Sequence, residues 1–275
     1  MLWFLLIKKA NKIILMTMGW RRMEKITSRQ NPKISEACAL QKKKCRDESG
    51  EFFFEGIKLL REAKRENVNI VRVFVTAAAI DAYGDELSGE FETVEVSDSV
   101  FEKLTTENAP QGVFTVARML APKRKPTGLS IILDALSDPG NLGTVIRCAD
   151  AFGVEKIYLS DTCADVYNPK TVRAAMGSVF RVPTERGDIE KNIKELQNNG
   201  YSVYAAMLDE NALRAEETEK DGKTAFVIGN EGHGVSKSVR DACDGSVFIP
   251  MREDSAESLN ASVAAAILMW EHKKI

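Results

Sequence analysis

The sequence is poor in the residues that build metal and redox sites. Its 275 residues include two histidines, His233 and His272, and five cysteines, Cys38, Cys45, Cys148, Cys163 and Cys243, with no CxxC pair. That set excludes a His-rich or thiolate metal centre, so no metal is expected. Odd, scattered cysteines point to reduced thiols in a cytoplasmic protein. No apolar run reaches the roughly 18 residues that a membrane span requires, so no membrane partner is expected. No GK[ST] occurs, which excludes a P-loop, and PGNLGT does not fit the GxGxxG dinucleotide fingerprint. A net charge of −2 supplies no overall basic field to attract nucleic acid.

What is present suits a globular chain of two domains. Hydrophobic residues make up 44% and charged residues 28%, enough to bury a core, and the length fits two domains better than one or three. Charge is uneven along the chain. Lys25 to Arg46 holds seven bases and one acid, Glu36, whereas Asp81 to Glu107 holds nine acids and one base, Lys103. The basic stretch suits phosphate contact, and a solvated helix face explains it equally well. Residues 1–22 have Lys8, Lys9 and Lys12 after their apolar run, the reverse of a signal peptide. They are expected to be a poorly structured extension, with Met23 opening the first domain.

Residues 23–118 have the pattern of a small α/β domain. NPKISEACALQKKK predicts a helix entered through Asn31-Pro32. EFFFEG and IVRVFVT predict strands flanking the helix IKLLREAKREN, and QGVFTVARM predicts a further strand. The proline-rich, basic phrase LAPKRKPTG falls in a linker over 119–129. From 130 to 275 strand and helix patterns alternate, which predicts a mostly parallel sheet with helices on both faces. Ligands on such sheets bind outside the carboxyl ends of the strands, and three polar segments lie at those ends.

The first segment is DALSDPGNLGTVIRCADAFG (134–153). Asp138-Pro139-Gly140 predicts a turn and Asn141 the N-cap of the next helix. Leu142, Val145, Ile146, Ala149 and Phe152 share its apolar face, and Arg147 points away from it. The second is FVIGNEGHGVS (226–236), where three glycines in six residues suit unusual φ or close approach to a ligand, with Glu231 among them. The third is IPMREDSAESLNASVAAAILMWE (249–271). Leu259, Val263, Ala266 and Trp270 form a helical stripe, Ala261, Ala264 and Ala265 allow close packing, and Ser258 and Asn260 lie in the first helical turn. Alone, each segment has a plain alternative: a cap and a surface charge, a Gly-rich turn, a capped terminal helix.

Their ordered combination is specific. Asn-x-Gly-x-x-x-Arg, then Gly-Asn-Glu-Gly-x-Gly, then Ile-Pro-Met followed by Glu-Ser-Leu-Asn resembles the three motifs of the SpoU (TrmH-type) RNA 2′-O-methyltransferases over all of 130–275. One departure is an extra residue between Ile249 and Leu259, at Arg252 to Ser255. FFFEGIKLLREA and PQGVFTVA resemble the ribosomal-protein-like RNA-binding domain that precedes the catalytic domain in many members.

The resemblance implies an α/β fold: a C-terminal parallel-sheet domain with a deep trefoil knot, preceded by a small α/β substrate-binding domain. It implies S-adenosylmethionine as cofactor, held by Gly229, Ile249 and Leu259 and, less directly, by Ala206. It also implies catalysis by Arg147 with Asn141, Glu231, Ser258 and Asn260, and a homodimer through the knotted domain. The separate N-terminal domain favours ribosomal RNA as substrate. Transfer RNA, or RNA binding and assembly without turnover, are the alternatives. A dinucleotide-dependent oxidoreductase would fit the alternation but lacks its fingerprint.

Overall fold

The computed structural model describes residues 23–121, 126–218, 222–252 and 258–272. The expected extension 1–22 lies outside them, as does part of the loop carrying the extra residue. The chain divides into two compact units: residues up to Arg61 with Asn69–Arg118, and Glu62–Val68 with Met119 onward.

In the N-terminal unit Asn31 opens a helix for a local reason. Its side chain accepts from the backbone N of Lys33 at 2.9 Å, and Pro32 occupies the first turn, where its missing N–H costs nothing. The elements are β1 (Glu24–Ile26), α1 (Pro32–Ala39), α2 (Lys43–Ser49), β2 (Glu51–Glu55), α3 (Ile57–Arg65, whose residues from Glu62 onward belong to the other unit), β3 (Ile70–Val75), α4 (Ala77–Tyr83), β4 (Glu92–Val96), α5 (Asp98–Leu104) and β5 (Val113–Arg118). The sheet order is β1-β4-β3-β5-β2, with β5 antiparallel to both its neighbours. Phe53 stacks on Phe114 at 4.7 Å between ring centroids in a core that also holds Ile34, Phe74 and Leu104.

The single helix expected over the NPKISEACALQKKK phrase is two. Arg46, buried in α2, turns back and donates from Nη1 to the carbonyls of Leu40 and Gln41 at 2.7 and 3.0 Å, which ends α1 there. The basic stretch is largely neutralised within the unit: Lys25 pairs with Glu95, Lys33 with Glu24 and Glu92, and Lys43 with Asp47.

The C-terminal unit comprises β6 (Ser130–Leu133), α6 (Pro139–Ala151), β7 (Lys156–Leu159), α7 (Pro169–Ala175), β8 (Thr184–Arg186), α8 (Ile189–Asn198), β9 (Ser202–Ala206), β10 (Leu213–Arg214), β11 (Thr224–Ile228), α9 (Lys237–Ala242), β12 (Gly245–Phe248) and α10 (Ala261–Glu271). Its seven strands run parallel in the order β10-β12-β9-β11-β6-β7-β8. Every residue of β6, β7 and β11 is buried, as expected of strands covered on both faces. The two short edge strands, β8 and β10, carry no pattern long enough to read from sequence.

Gly143 lets α6 press against α7. A Cβ there would lie 2.5 Å from Ala174 Cβ and 2.6 Å from the Thr171 carbonyl oxygen. Of the alanines expected to allow close packing on α10, Ala261 and Ala265 are buried, and the helical stripe through Val263 and Trp270 lies on another side. Val263 and Trp270 are 46% and 51% exposed, while Ala261, Ser262, Ala265, Leu268 and Met269 are buried. ASVAAAILMW is apolar almost all round, so periodicity cannot select its face. The side of α10 with three of its small residues packs against α6 and β11.

Candidate active site

The first polar segment starts its helix earlier than expected. The N-cap of α6 is Asp138, not Asn141: Asp138 Oδ1 accepts from the Asn141 backbone N at 2.8 Å, with Pro139 in the first turn. Lys170 of α7 donates to Asp138 Oδ2 at 3.1 Å. The Asn141 N–H first, and Lys170 next, hold the Asp138 carboxyl below the usual carboxylate range.

Relieved of capping, the Asn141 side chain reaches other segments. Its Nδ2 donates to Glu231 Oε1 at 2.7 Å, and its Oδ1 accepts from Asn260 Nδ2 at 3.2 Å. Asn260 is the N-cap of α10 and not a first-turn residue; its Oδ1 accepts from the backbone N of Ser262 at 2.9 Å. One residue from each of the three polar segments is therefore joined in a single hydrogen-bonded set.

The loop after β11 is folded on itself. Asn230 and Gly234 exchange backbone hydrogen bonds of 3.0 and 2.9 Å, and Gly234 has φ +67°. A Cβ on buried Gly229 would run into the backbone of Gly234 and Val235, so the loop itself demands glycine there, before any ligand approaches. Two residues not picked out from the sequence fasten this loop to the turn after β6. Asn230 Nδ2 donates to the Ala135 carbonyl at 2.9 Å, where Ala135 has φ +58°, and Asp134 Oδ2 accepts from Ser236 N at 2.8 Å. An Asn next to a Gly-rich turn is a general turn signal, which does not reveal a partner 95 residues away.

Ala206 ends β9, Gly229 follows β11 and Ile249 follows β12, and these three strands are consecutive in the sheet. The Met207 N–H donates to the Val247 carbonyl at 2.9 Å, drawing the ends of β9 and β12 together. Their backbones thus close one carboxyl edge, with Leu208 and Met251 exposed beside it. Leu259 is half-buried and Ser258 exposed. Neither Ser258 nor Arg147 bonds to the Asn141–Glu231–Asn260 set among the described residues, and Arg147 is exposed on α6 as expected. The five cysteines are free thiols. Among the described residues no helix is long and apolar enough to cross a membrane.

Residues 128–270 match the SpoU rRNA Methylase family, and residues 31–115 match the MRM3-like substrate binding domain. The 23S rRNA (guanosine(2553)-2′-O)-methyltransferase RlmP of Bacillus subtilis is 33% identical over 248 residues, 90% of this chain and 98% of that protein. The AdoMet-bound rRNA methyltransferase from Sinorhizobium meliloti aligns with a TM-score of 0.81 at 29% identity, covering 91% of this chain and 97% of that one. The SpoU methyltransferase AviRb from Streptomyces viridochromogenes, solved in complex with AdoMet, aligns at 0.78 and 25% identity, covering 88% and 97%.

Proposed function

The chain belongs to the SpoU rRNA methylase family, and from that premise we propose that it transfers a methyl group from S-adenosylmethionine to a ribose 2′-hydroxyl of 23S-type ribosomal RNA. The observation that carries this reading is the meeting of Asn141, Glu231 and Asn260 at the carboxyl edge of the sheet. Residues 23–118 form the RNA-binding domain, 119–129 the linker and 130–275 the catalytic domain, in the cytoplasm. The deep knot belongs to the same reading. Its support is the path of the chain, which leaves β12 beside β9 and returns to pack α10 on α6 and β11.

S-adenosylmethionine supplies a methyl group already activated on a sulfonium. The backbone at Gly229, Ile249, Leu259 and Ala206 would hold it, and the exposed side chains of Leu208 and Met251 offer apolar cover. As the new O–C bond forms the methyl C–S bond breaks, the sulfur keeping the electron pair as a neutral thioether, and the proton of the attacking hydroxyl passes to a neighbouring RNA phosphate oxygen. A guanidinium offers N–H donors and no acceptor, so Arg147 orients the hydroxyl and the neighbouring phosphate. Glu231, held by Asn141, organises the substrate together with Asn260 and Ser258.

Arg147 lies six residues beyond Asn141, about 240° around the helix and roughly 9 Å along it, and so does not face its own Asn141–Glu231 pair. It is exposed on α6, and Val263 and Trp270 are exposed on the adjoining α10. A second copy seated against these two helices makes a homodimer and brings Arg147 of one protomer to the cleft of the other. The test is transfer of labelled methyl from S-adenosylmethionine to ribosomal RNA from cells lacking the gene. Label on a ribose 2′-oxygen is expected. No transfer, or transfer to a base, overturns the reading.

A further inference from the structure

The contacts that join Asn260, Asn141 and Glu231 run in one donor-to-acceptor direction. They begin at a residue outside the polar set expected from the motifs, Ser262. It is the second residue of α10 and is 5% exposed. Its Oγ donates to Asn260 Oδ1 at 2.7 Å, and its backbone N–H donates to the same oxygen. The Val263 N–H approaches that oxygen at 3.4 Å. An amide oxygen so loaded has one orientation, which turns Asn260 Nδ2 onto Asn141 Oδ1. Ser262 Oγ is also 3.5 Å from Asn141 Oδ1. With its oxygen engaged, Asn141 presents Nδ2 to Glu231 Oε1. The relay ends on an exposed carboxylate that can only accept.

We propose that Ser262 is a positioning residue for methyl transfer, setting the orientation of two amides and through them the place of the Glu231 carboxylate. Each Asn amide has two orientations related by a flip. Without the Ser262 hydroxyl, Asn260 loses the shortest contact on its oxygen. A flip of Asn260 sets its oxygen against that of Asn141. Asn141 must then flip and present its own oxygen to the Glu231 carboxylate, where two acceptors repel. The defect travels from α10 to the loop after β11 without altering the cofactor edge.

The turnover arm of the test rests on the methyltransferase reading, whereas the relay is read without turnover. The full chain, labelled selectively with 15N-asparagine, reports the Nδ2 signals of Asn141 and Asn260 with neither RNA nor cofactor present. Ser262→Ala is expected to shift the Asn141 signal, and Ser262→Thr, which keeps the donor, to leave it in place. Single-turnover transfer should fall about tenfold in Ser262→Ala, as misplacement of a reacting group entails. Cofactor affinity should stay within about twofold, and adding Ser262→Ala to Asn141→Ala should cost less than about twofold more, since the relay is already cut. An unchanged Asn141 signal in Ser262→Ala overturns the proposal, and so do rate losses that multiply in the double variant. A parent protein that shows the coupled signals but transfers no methyl sinks the methyltransferase reading and leaves the relay standing.

Discussion

The N-terminal and C-terminal units use their polar residues in opposite ways. In the first, charges near one another in space cancel: Lys33 bridges Glu24 and Glu92, Arg72 shares Glu92, and Arg61 meets Glu86. A basic stretch that looks like a phosphate contact in sequence is mostly consumed by the unit's own acids. In the second, two neutral amides separated by 119 residues bond to each other, one of them donates to a carboxylate, and Arg147 remains exposed. Counting charge identifies neither behaviour. The partner each group finds decides whether it stabilises the unit or is left to act on a ligand.

The largest expected effect lies in the C-terminal unit. Arg147→Ala should lower turnover by roughly a hundredfold or more, the scale of losing a group that holds the reacting atoms in place. It should melt within a few degrees of the parent, since exposed positions usually change stability by only about 0.5 kcal/mol. Rate assays beside thermal melts check the pair, and a loss of fold would make Arg147 structural. Next comes Gly143→Val. Overpacking against Ala174 and Thr171 should cost about 1–3 kcal/mol, read by denaturant unfolding, and an unchanged midpoint would contradict the close helix contact.

Asp138→Ala should cost about 1 kcal/mol for the lost cap. The folded pKa of Asp138 is depressed by the Asn141 N–H and Lys170, so its contribution is complete above the ordinary carboxylate value of about 3.9. It is lost as the pH falls through the lower folded value. The stability gap between parent and variant should be flat from pH 5 to 8 (about the range of most stable folds) and close only in stronger acid. The smallest effect belongs to the N-terminal unit. Lys33→Ala should change stability by at most about 1 kcal/mol, as exposed ion pairs do, and should leave RNA affinity unaltered. A large affinity loss would return the basic stretch to phosphate binding.

Much of the fold was legible in the sequence because parallel strands buried on both faces, such as SIIL and TAFVI, are apolar after their first residue and end at polar or glycine-rich segments. The N-cap of α6 was legible but misread. Asp138-Pro139 has the cap-and-first-turn signature, yet Pro-Gly favoured a turn and moved the cap to Asn141. The face of α10 was legible only in its small residues, Ala261 and Ala265, because large apolar residues surround the helix. The relay was hidden for a different reason. Ser262 and Asn260 are ordinary capping residues locally, and their partner Asn141 comes within reach only once β6 and β12 are in place.

The most direct test of the central claim, that these segments assemble one site for ribose methylation of ribosomal RNA, is to map 2′-O-methylation across that RNA with and without the gene. The account predicts that a 2′-O-methyl mark disappears in the deletion and returns with the parent chain but not with Arg147→Ala. Identical methylation maps in the presence and absence of the gene would contradict it.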